Sequence, residues 1–443
     1  MINLRYLKLS SQTIRRSHYS SNSKQAHKLP FDQDHLEGDE KYDEINSFYS
    51  DLFCEAEPVL NKASSSQSFH ESLDELNKEM KDLYGADNLD QPHSSSTLDA
   101  LDFEAPTLNL SLLERLLKPN PKVILSDLND PYKNLAIEEY VFNKLKFTKN
   151  ERFNYTLMFY TNSPCVVIGK NQNPWKEVNL PLLNNLRVPL LRRFSGGGTV
   201  VHDLGNVNYS YISTRSEFDR TYFGSVITNS LADIKQNVRG DILTNEGLKI
   251  SGSAFKISKG KSLHHGTMLL NSNLKVLGQL LNREKFSHIN IIGNSTDSVR
   301  AKVANLGLEN DDFIEKIADS FIHKFPNSDI IEVTNEVYEQ VSQISEFKDI
   351  EKRLKSWSWM YGNTPKFEMK LSFSPELEVK FYIEKGIVKQ FELNNKKFEK
   401  DFRFLKQVLD NGEVIKFRGD EICGYILNDT ISEWLENSID GFS

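Results

Sequence analysis

Along the chain the apolar positions change period several times, and each change predicts an element. "PKVILSD" (121–127) is a short apolar run that predicts a strand. "NLAIEEYVFNKLK" then sets Ile137, Val141 and Leu145 four apart, the spacing of one helical stripe. "YTLMFY" and "CVVIG" predict two strands broken by "TNSP". "NVNYSYIS" alternates and predicts another strand, whereas "FGSVITNSLADIKQNV" carries Ile227, Leu231, Ile234 and Val238 at helical spacing. "GLKISGSAFKI" and "HHGTMLLN" predict a paired ribbon, and "DDFIEKIADSFIHKF" an amphipathic helix with Phe313, Ile317 and Phe321 in line. Beyond Pro326, "FEMKLSFS", "ELEVKFYIE" and "IVKQFELN" alternate again, with "EKG" as a hairpin turn. Helices and strands mix without a regular strand–helix–strand rhythm. The predicted fold class is therefore α+β, with a mixed-sheet domain over 119–325 and a smaller α+β accessory domain over 326–443.

The first part of the chain lacks such periods. Residues 1–31 contain Arg5, Lys8, Arg15, Arg16, Lys24 and Lys28, many serines and no acid. Leu4, Leu7 and Ile14 fall roughly on one helical face. This composition predicts a mitochondrial transit peptide and a matrix location, with a disordered basic tail as the plainer alternative. Residues 32–118 turn acidic and polar, which predicts a solvated linker with at most one short helix around residues 71–83.

Composition narrows the function classes. The 443 residues carry a net charge of −8, which argues against a general nucleic-acid binder. No apolar run approaches the roughly 18 residues of a membrane span, so no membrane partner is expected. Three widely spaced cysteines suggest neither a disulfide framework nor a metal cluster.

The chemistry concentrates in "RRFSGGGTVVHDLGN". Two nucleotide motifs fail here: Phe255 stands where the "GKS" of "FKISKGKS" would need the first P-loop glycine, and Val201 replaces the third glycine of a dinucleotide fingerprint. Gly196, Gly197 and Gly198 still suit a backbone that passes close over a ligand with its N–H groups toward an anion. A tight strand-to-strand turn explains the same glycines equally well. Alternation predicts that only one of Arg192 and Arg193, together with Ser195, points inward. In "GLKISGSAFKI", Lys249 and Ser251 share a strand face, while Gly252 and Ala254 leave room on the other. A surface lysine on an edge strand is the alternative. His264 and His265 point to opposite faces, one able to line a pocket while the other meets solvent, and His202–Asp203 is either a bonded pair or a simple turn.

Together these segments resemble the lipoate-protein ligase A / lipoyltransferase family. "RRFSGGGTVVHDLGN", "KISGSA" and "HHGTMLLN" occur in that order, with "DPYKNLAIEEYVF", "VVIGKNQNPWKEVN", "DSVRAKVANL" and "WSWMYGNTPKF" around them, from about residue 122 to the C-terminus. The resemblance implies a catalytic domain of the biotin/lipoate ligase type. It also implies attachment of lipoate or octanoate to a lysine of a lipoyl domain through an acyl-adenylate. ATP, and Mg2+ where the activating step is retained, would be the cofactors. Lys249 would be catalytic, bridging the acyl carbonyl and the phosphate. Arg193, Ser195, Gly196, Gly197, Gly198, Thr199, Val200, Val201, His202, Asp241, Ser253, Ala254, Lys256 and His265 would bind substrate or ATP, and the acyl tail would lie along "VVIG" and "YSYI". Expected partners are the lipoyl domains of 2-oxoacid dehydrogenase acyltransferase subunits and the glycine-cleavage H protein, met by a monomer.

Three positions depart from the bacterial pattern: Gly240 precedes Asp241 where Asn is usual, Lys256 replaces an arginine, and Tyr160 a tryptophan. The first two touch nucleotide handling. They leave open an ATP-independent transferase that uses a preformed acyl donor: acyl-AMP, acyl-CoA or acylated H protein. A non-catalytic escort of lipoyl domains is the third reading.

Overall fold

The structure, a computed structural model, describes residues 110–118, 120–146, 155–281 and 288–441. The expected transit peptide and the helix around residues 71–83 lie outside these residues. The six-stranded sheet runs, in spatial order, Ser253–Ser258, Lys261–Leu269, Asn206–Thr214, Thr156–Thr161, Lys122–Ser126 and Asp329–Val333. The first four neighbours pair antiparallel, and the last two pairings are parallel. The mixed α+β class is as expected, and so is the ribbon, in which Ala254 pairs with His265.

One helix braces the large sheet and supplies a wall of the candidate site. Pro131–Lys144 starts where the Asp130 carboxylate accepts from the Tyr132 and Lys133 amides and Pro131 takes the first helical position. Its stripe of Leu135, Ile137, Tyr140 and Val141 is buried, joining a core that includes Met158, Val167 and Leu191.

Four expectations change. Asp329–Val333 pairs with Lys122–Ser126, so the first sheet extends past the boundary drawn at 325. Conversely, Ile289–Gly293 joins the C-terminal hairpins Phe367–Ser374, Leu377–Glu384 and Ile387–Leu393 in a four-stranded sheet. Leu110–Leu117, inside the expected linker, is a helix whose Leu116 is buried and whose Arg115 pairs with Asp329 at 2.6 Å. The helix read through Val238 spans only Tyr222–Ser230; Ile234–Gln236 is a strand, and Val238 sits almost fully exposed in the turn beyond it. The "EKG" turn is as expected, with Lys385 and Gly386 both at positive φ (54° and 70°).

The four-stranded sheet shares a core with the strands Cys165–Ile168 and Leu190–Arg192 of the first domain. Trp175 is fully buried, with Tyr361, Phe367 and Phe417 rings 5.2–5.3 Å away, in a cluster that also holds Val166, Leu180, Phe381 and Leu435. Trp175→Ala is expected to cost about 3–5 kcal/mol. Because the cluster joins the four-stranded sheet to those strands, urea unfolding should remain a single transition shifted to lower denaturant. A separate early transition of the C-terminal sheet would contradict the shared core.

Candidate active site

The glycine loop is placed by a three-stranded sheet. Cys165–Ile168 lies between Leu190–Arg192 and Val200–His202, so residues 193–199 arch over its end. The arch is close enough to the neighbouring backbone that a Cβ on Gly169 would overlap the Gly197 carbonyl. Gly197 has φ 90°, and a Cβ there would come within 2.9 Å of Arg193 Nη2 and 3.2 Å of Ala254 Cβ. Glycine at 197 is thus required by backbone and by space. Gly196 faces open space, so its Cβ would meet nothing.

Both arginines turn out to be buried, against the expectation that only one points inward. Arg192 donates to the carbonyls of Met360, Lys170 and Gln172 at 2.8 Å and to Thr364 Oγ1. Arg193 donates to the carbonyls of Val167 (3.1 Å), Gly196 (2.7 Å) and Gly198 (2.7 Å) and to Ser195 Oγ (3.0 Å). Burial pushes the two guanidinium groups down, to about 9 and about 10, which leaves both charged at neutral pH. An irregular loop leaves carbonyls without ladder partners, and the planar fork of arginine supplies the donors. Meanwhile the amides of Gly196, Gly197 and Gly198 find no acceptor within the described residues.

Lys249 comes from the third small sheet, Ile234–Gln236, Ile242–Thr244 and Lys249–Ser251. The chain kinks at Gly252 to enter the large sheet. A Cβ at 252 would lie 3.5 Å from Lys249 Cε and 3.6 Å from Nζ, ordinary contact distances that place the Lys249 side chain beside Gly252. Lys249 and Gly252 therefore share one cavity, where strand alternation predicts opposite faces. Nζ is 3.0 Å from Asp241 Oδ1, with the side chains 22% and 18% exposed. Asp241 comes directly after Gly240, whose φ is 87°. Glycine and asparagine both tolerate the left-handed region best, so the departure at 240 keeps the backbone that Asp241 needs.

These groups line one cavity of about 300 Å³. Gly197, Gly198, Thr199, Val200, Arg193, Asp241, Lys249, Ser253 and Ala254 reach it from three segments, with His202 and His265 deeper in. Leu135, Tyr160, Val167 and Asn208 add wall from helix and sheet. Of the expected apolar lining, "VVIG" contributes Val167, whereas no residue of "YSYI" reaches the cavity and Asn208 takes that wall. Behind the wall His265 bridges two groups: Nδ1 lies 3.0 Å from the Glu138 carboxylate and Nε2 lies 2.6 Å from Ser195 Oγ. The Tyr160 hydroxyl also donates to Glu138 at 3.4 Å. His202 and His264 are buried, and desolvation drives both down to about 3, so both rings are neutral.

Several expected binding residues lie elsewhere. Ser195 and Gly196 are outside the lining; Ser195 holds His265. Val201 points into the core with Val166 and Ile168. Lys256 pairs with Glu139 at 2.5 Å over the Phe142 ring, away from the cavity. Thr199 stays in the lining, its amide donating to Ser298 Oγ at 2.9 Å. His264 is no solvent-facing residue: it bonds Ser253 at 2.9 Å among Tyr209, Phe223 and Phe255. His202 ends the strand Val200–His202 and bonds Asn162, while Asp203 opens the turn and accepts from the Gly205 and Asn273 amides. Sequence reasoning missed Glu138, Leu135, Asn208, Arg239 and residues 296–299 as site residues. Leu135 and Glu138 lay in "DPYKNLAIEEYVF" and residues 297–299 in "DSVRAKVANL", segments that carry the resemblance without marking those positions.

An α+β sheet whose glycine loop and single lysine face one cavity is the arrangement of the biotin/lipoate ligase class. The family described as "Lipoyl protein ligase A/B catalytic domain" matches residues 130–326. The chain is 33% identical over 378 residues to a Saccharomyces cerevisiae protein named "Putative lipoate-protein ligase A", covering 81% of this chain and 87% of that one. It is 34% identical over 289 residues to the "Lipoate-protein ligase A" of Bdellovibrio bacteriovorus, covering 61% of this chain and 82% of the relative. It is also similar to the "Crystal structure of P. falciparum LipL1 in complex lipoate", at 24% identity and a TM-score of 0.47 over 72% of this chain and 98% of that chain. The chain belongs to the lipoate-protein ligase family.

Proposed function

We propose that this chain joins lipoate, or octanoate, to a lysine of a lipoyl domain in two steps. In the first, a carboxylate oxygen attacks the α-phosphorus of ATP, an O–P bond forms, and pyrophosphate leaves. In the second, the acceptor amine attacks the acyl carbonyl, the C–O bond to AMP breaks, and the amine proton is lost to solvent or to the departing phosphate. The observation that carries this reading is the Lys249 ammonium sharing one cavity with Gly197 and Gly198, whose amides find no acceptor among the described residues. Both steps gather negative charge at one place, on phosphoryl oxygens and then on a carbonyl oxygen. Fixed donors stabilise such charge more than they stabilise the ground state, which lowers the barrier.

In this reading the acyl tail runs between Leu135, Val167 and Tyr160 toward the His265–Glu138 end, while Asp241 orients Lys249, and any Mg2+ would arrive with the nucleotide and screen its phosphate charge. Among the described residues, burial pushes both the Cys165 and Cys423 thiols up, so neither is a ready nucleophile. Acceptors would be the lipoyl domains of 2-oxoacid dehydrogenase acyltransferases and the glycine-cleavage H protein, met by a monomer. The basic, acid-free segment 1–31 supports work in the mitochondrial matrix; a fluorescent fusion of that segment that stays cytosolic would end this part.

The chemistry is tested by intact-mass measurement of an apo lipoyl domain after incubation with the protein, lipoate, ATP and magnesium. One added lipoyl group on the acceptor lysine is expected. Tight binding of the acceptor without any mass gain would instead mark an escort.

A further inference from the structure

The cations of the cavity divide sharply by what already occupies them. Arg193 gives its donors to Ser195 Oγ and to the carbonyls of Val167, Gly196 and Gly198, and Lys256, outside the cavity, pairs with Glu139. Lys249 faces Asp241, and that pair is neutral as a unit. Arg239 differs. It lines the cavity and is exposed at its mouth, and its guanidinium makes no ion pair or hydrogen bond within the described residues.

Its backbone, by contrast, is held firmly. Asn237 Oδ1 accepts from the Arg239 amide at 2.9 Å and from the Asp241 amide at 3.0 Å. Gly240 N–H donates to the Asn237 carbonyl at 3.0 Å, and the Gly240 carbonyl accepts from Ser253 Oγ at 3.1 Å. The same turn therefore presents Asp241, which holds Lys249, and two residues earlier a free guanidinium. A polyphosphate entering this cavity would meet few unspent cationic donors without it, and a guanidinium fork fits phosphate oxygens in bidentate fashion.

We propose that Arg239 receives the β- and γ-phosphates of ATP and stabilises the departing pyrophosphate. This rests on the reading that the chain activates its acid with ATP. A carboxylate beside the acceptor lysine offers the same anionic chemistry, and the test separates the two.

Full-length wild type, Arg239→Ala and Arg239→Lys are compared in two assays: lipoate-dependent exchange between ATP and pyrophosphate, and transfer from purified lipoyl-adenylate to an apo lipoyl domain. Charge-assisted hydrogen bonds to a phosphate are worth enough that R239A should raise the KM for MgATP about tenfold or more, with the KM for lipoate unchanged. R239K should recover part of this, and transfer from the adenylate should stay within about threefold of wild type. Unchanged exchange in R239A overturns the assignment. Intact exchange with lost transfer assigns Arg239 to the acceptor's carboxylate, and equal loss in both assays marks a collapsed turn; either result also overturns it. A wild type that transfers from the adenylate yet never exchanges pyrophosphate removes ATP activation itself, and Arg239 with it, a failure visible without any variant.

Discussion

Lys249→Ala is expected to lower acyl transfer at least about 100-fold while leaving the fold intact. The magnitude comes from the place of the ammonium group: removing one fixed donor from developing oxyanion charge typically costs about 2.7–4 kcal/mol in a water-poor site. The stability effect should be small, because the side chain is part-exposed and its main partner, Asp241, also reaches solvent. Initial rates of transfer to an apo lipoyl domain, read beside a thermal melt, check both halves. Transfer above a tenth of wild type would take Lys249 out of the mechanism. Lys249→Arg keeps the charge but displaces it, since the guanidinium is longer and planar, so it should restore little.

Arg193→Ala should fail differently, losing stability and activity together. The side chain is buried, and its removal leaves the carbonyls of Val167, Gly196 and Gly198 without their donor. Unmade hydrogen bonds of buried acceptors cost about 1–3 kcal/mol each, less where water can enter, so a loss of about 3 kcal/mol or more is expected in urea denaturation. Ser195 also loses the Arg193 Nε–H, which loosens its bond to His265. Arg193→Lys should rescue poorly, because a single ammonium cannot span three carbonyls. Wild-type stability with activity alone lost would mean that Arg193 touches the ligand instead of the loop. The contrast with Lys249 separates a residue that shapes the site from one that acts in it.

How much of the fold was legible in the sequence depends on the range of the interaction. The C-terminal hairpins were readable because period-two alternation and the Lys385–Gly386 turn are local signals. The ribbon of Ser253–Ser258 with Lys261–Leu269 was readable for the same reason. The parallel pairing of Asp329–Val333 with Lys122–Ser126 was not, since some 200 residues separate partners that carry no mark of each other. Ile234 fitted a helical stripe and a short strand equally, and packing chose the strand.

The site divides in the same way. The glycines and Lys249 stood out because their chemistry needs unusual residues at fixed places. The directions of Arg192 and Arg193 could not be read, because alternation stops where the strand Leu190–Arg192 ends and the loop then recruits both side chains for its carbonyls. Glu138 read as an ordinary helix acid beside Glu139. Only the fold turns one toward His265 and the other toward Lys256.

The most direct measurement is the position of Lys249 Nζ in a crystal structure with a non-hydrolysable lipoyl-adenylate analogue. The account predicts Nζ about 3 Å from both the acyl carbonyl oxygen and the phosphate mimic. The glycine amides should point at the same group, and the tail should lie against Leu135, Val167 and Tyr160. An analogue seated outside this cavity, or an ammonium still facing Asp241 alone with the adenylate beyond its reach, would contradict it.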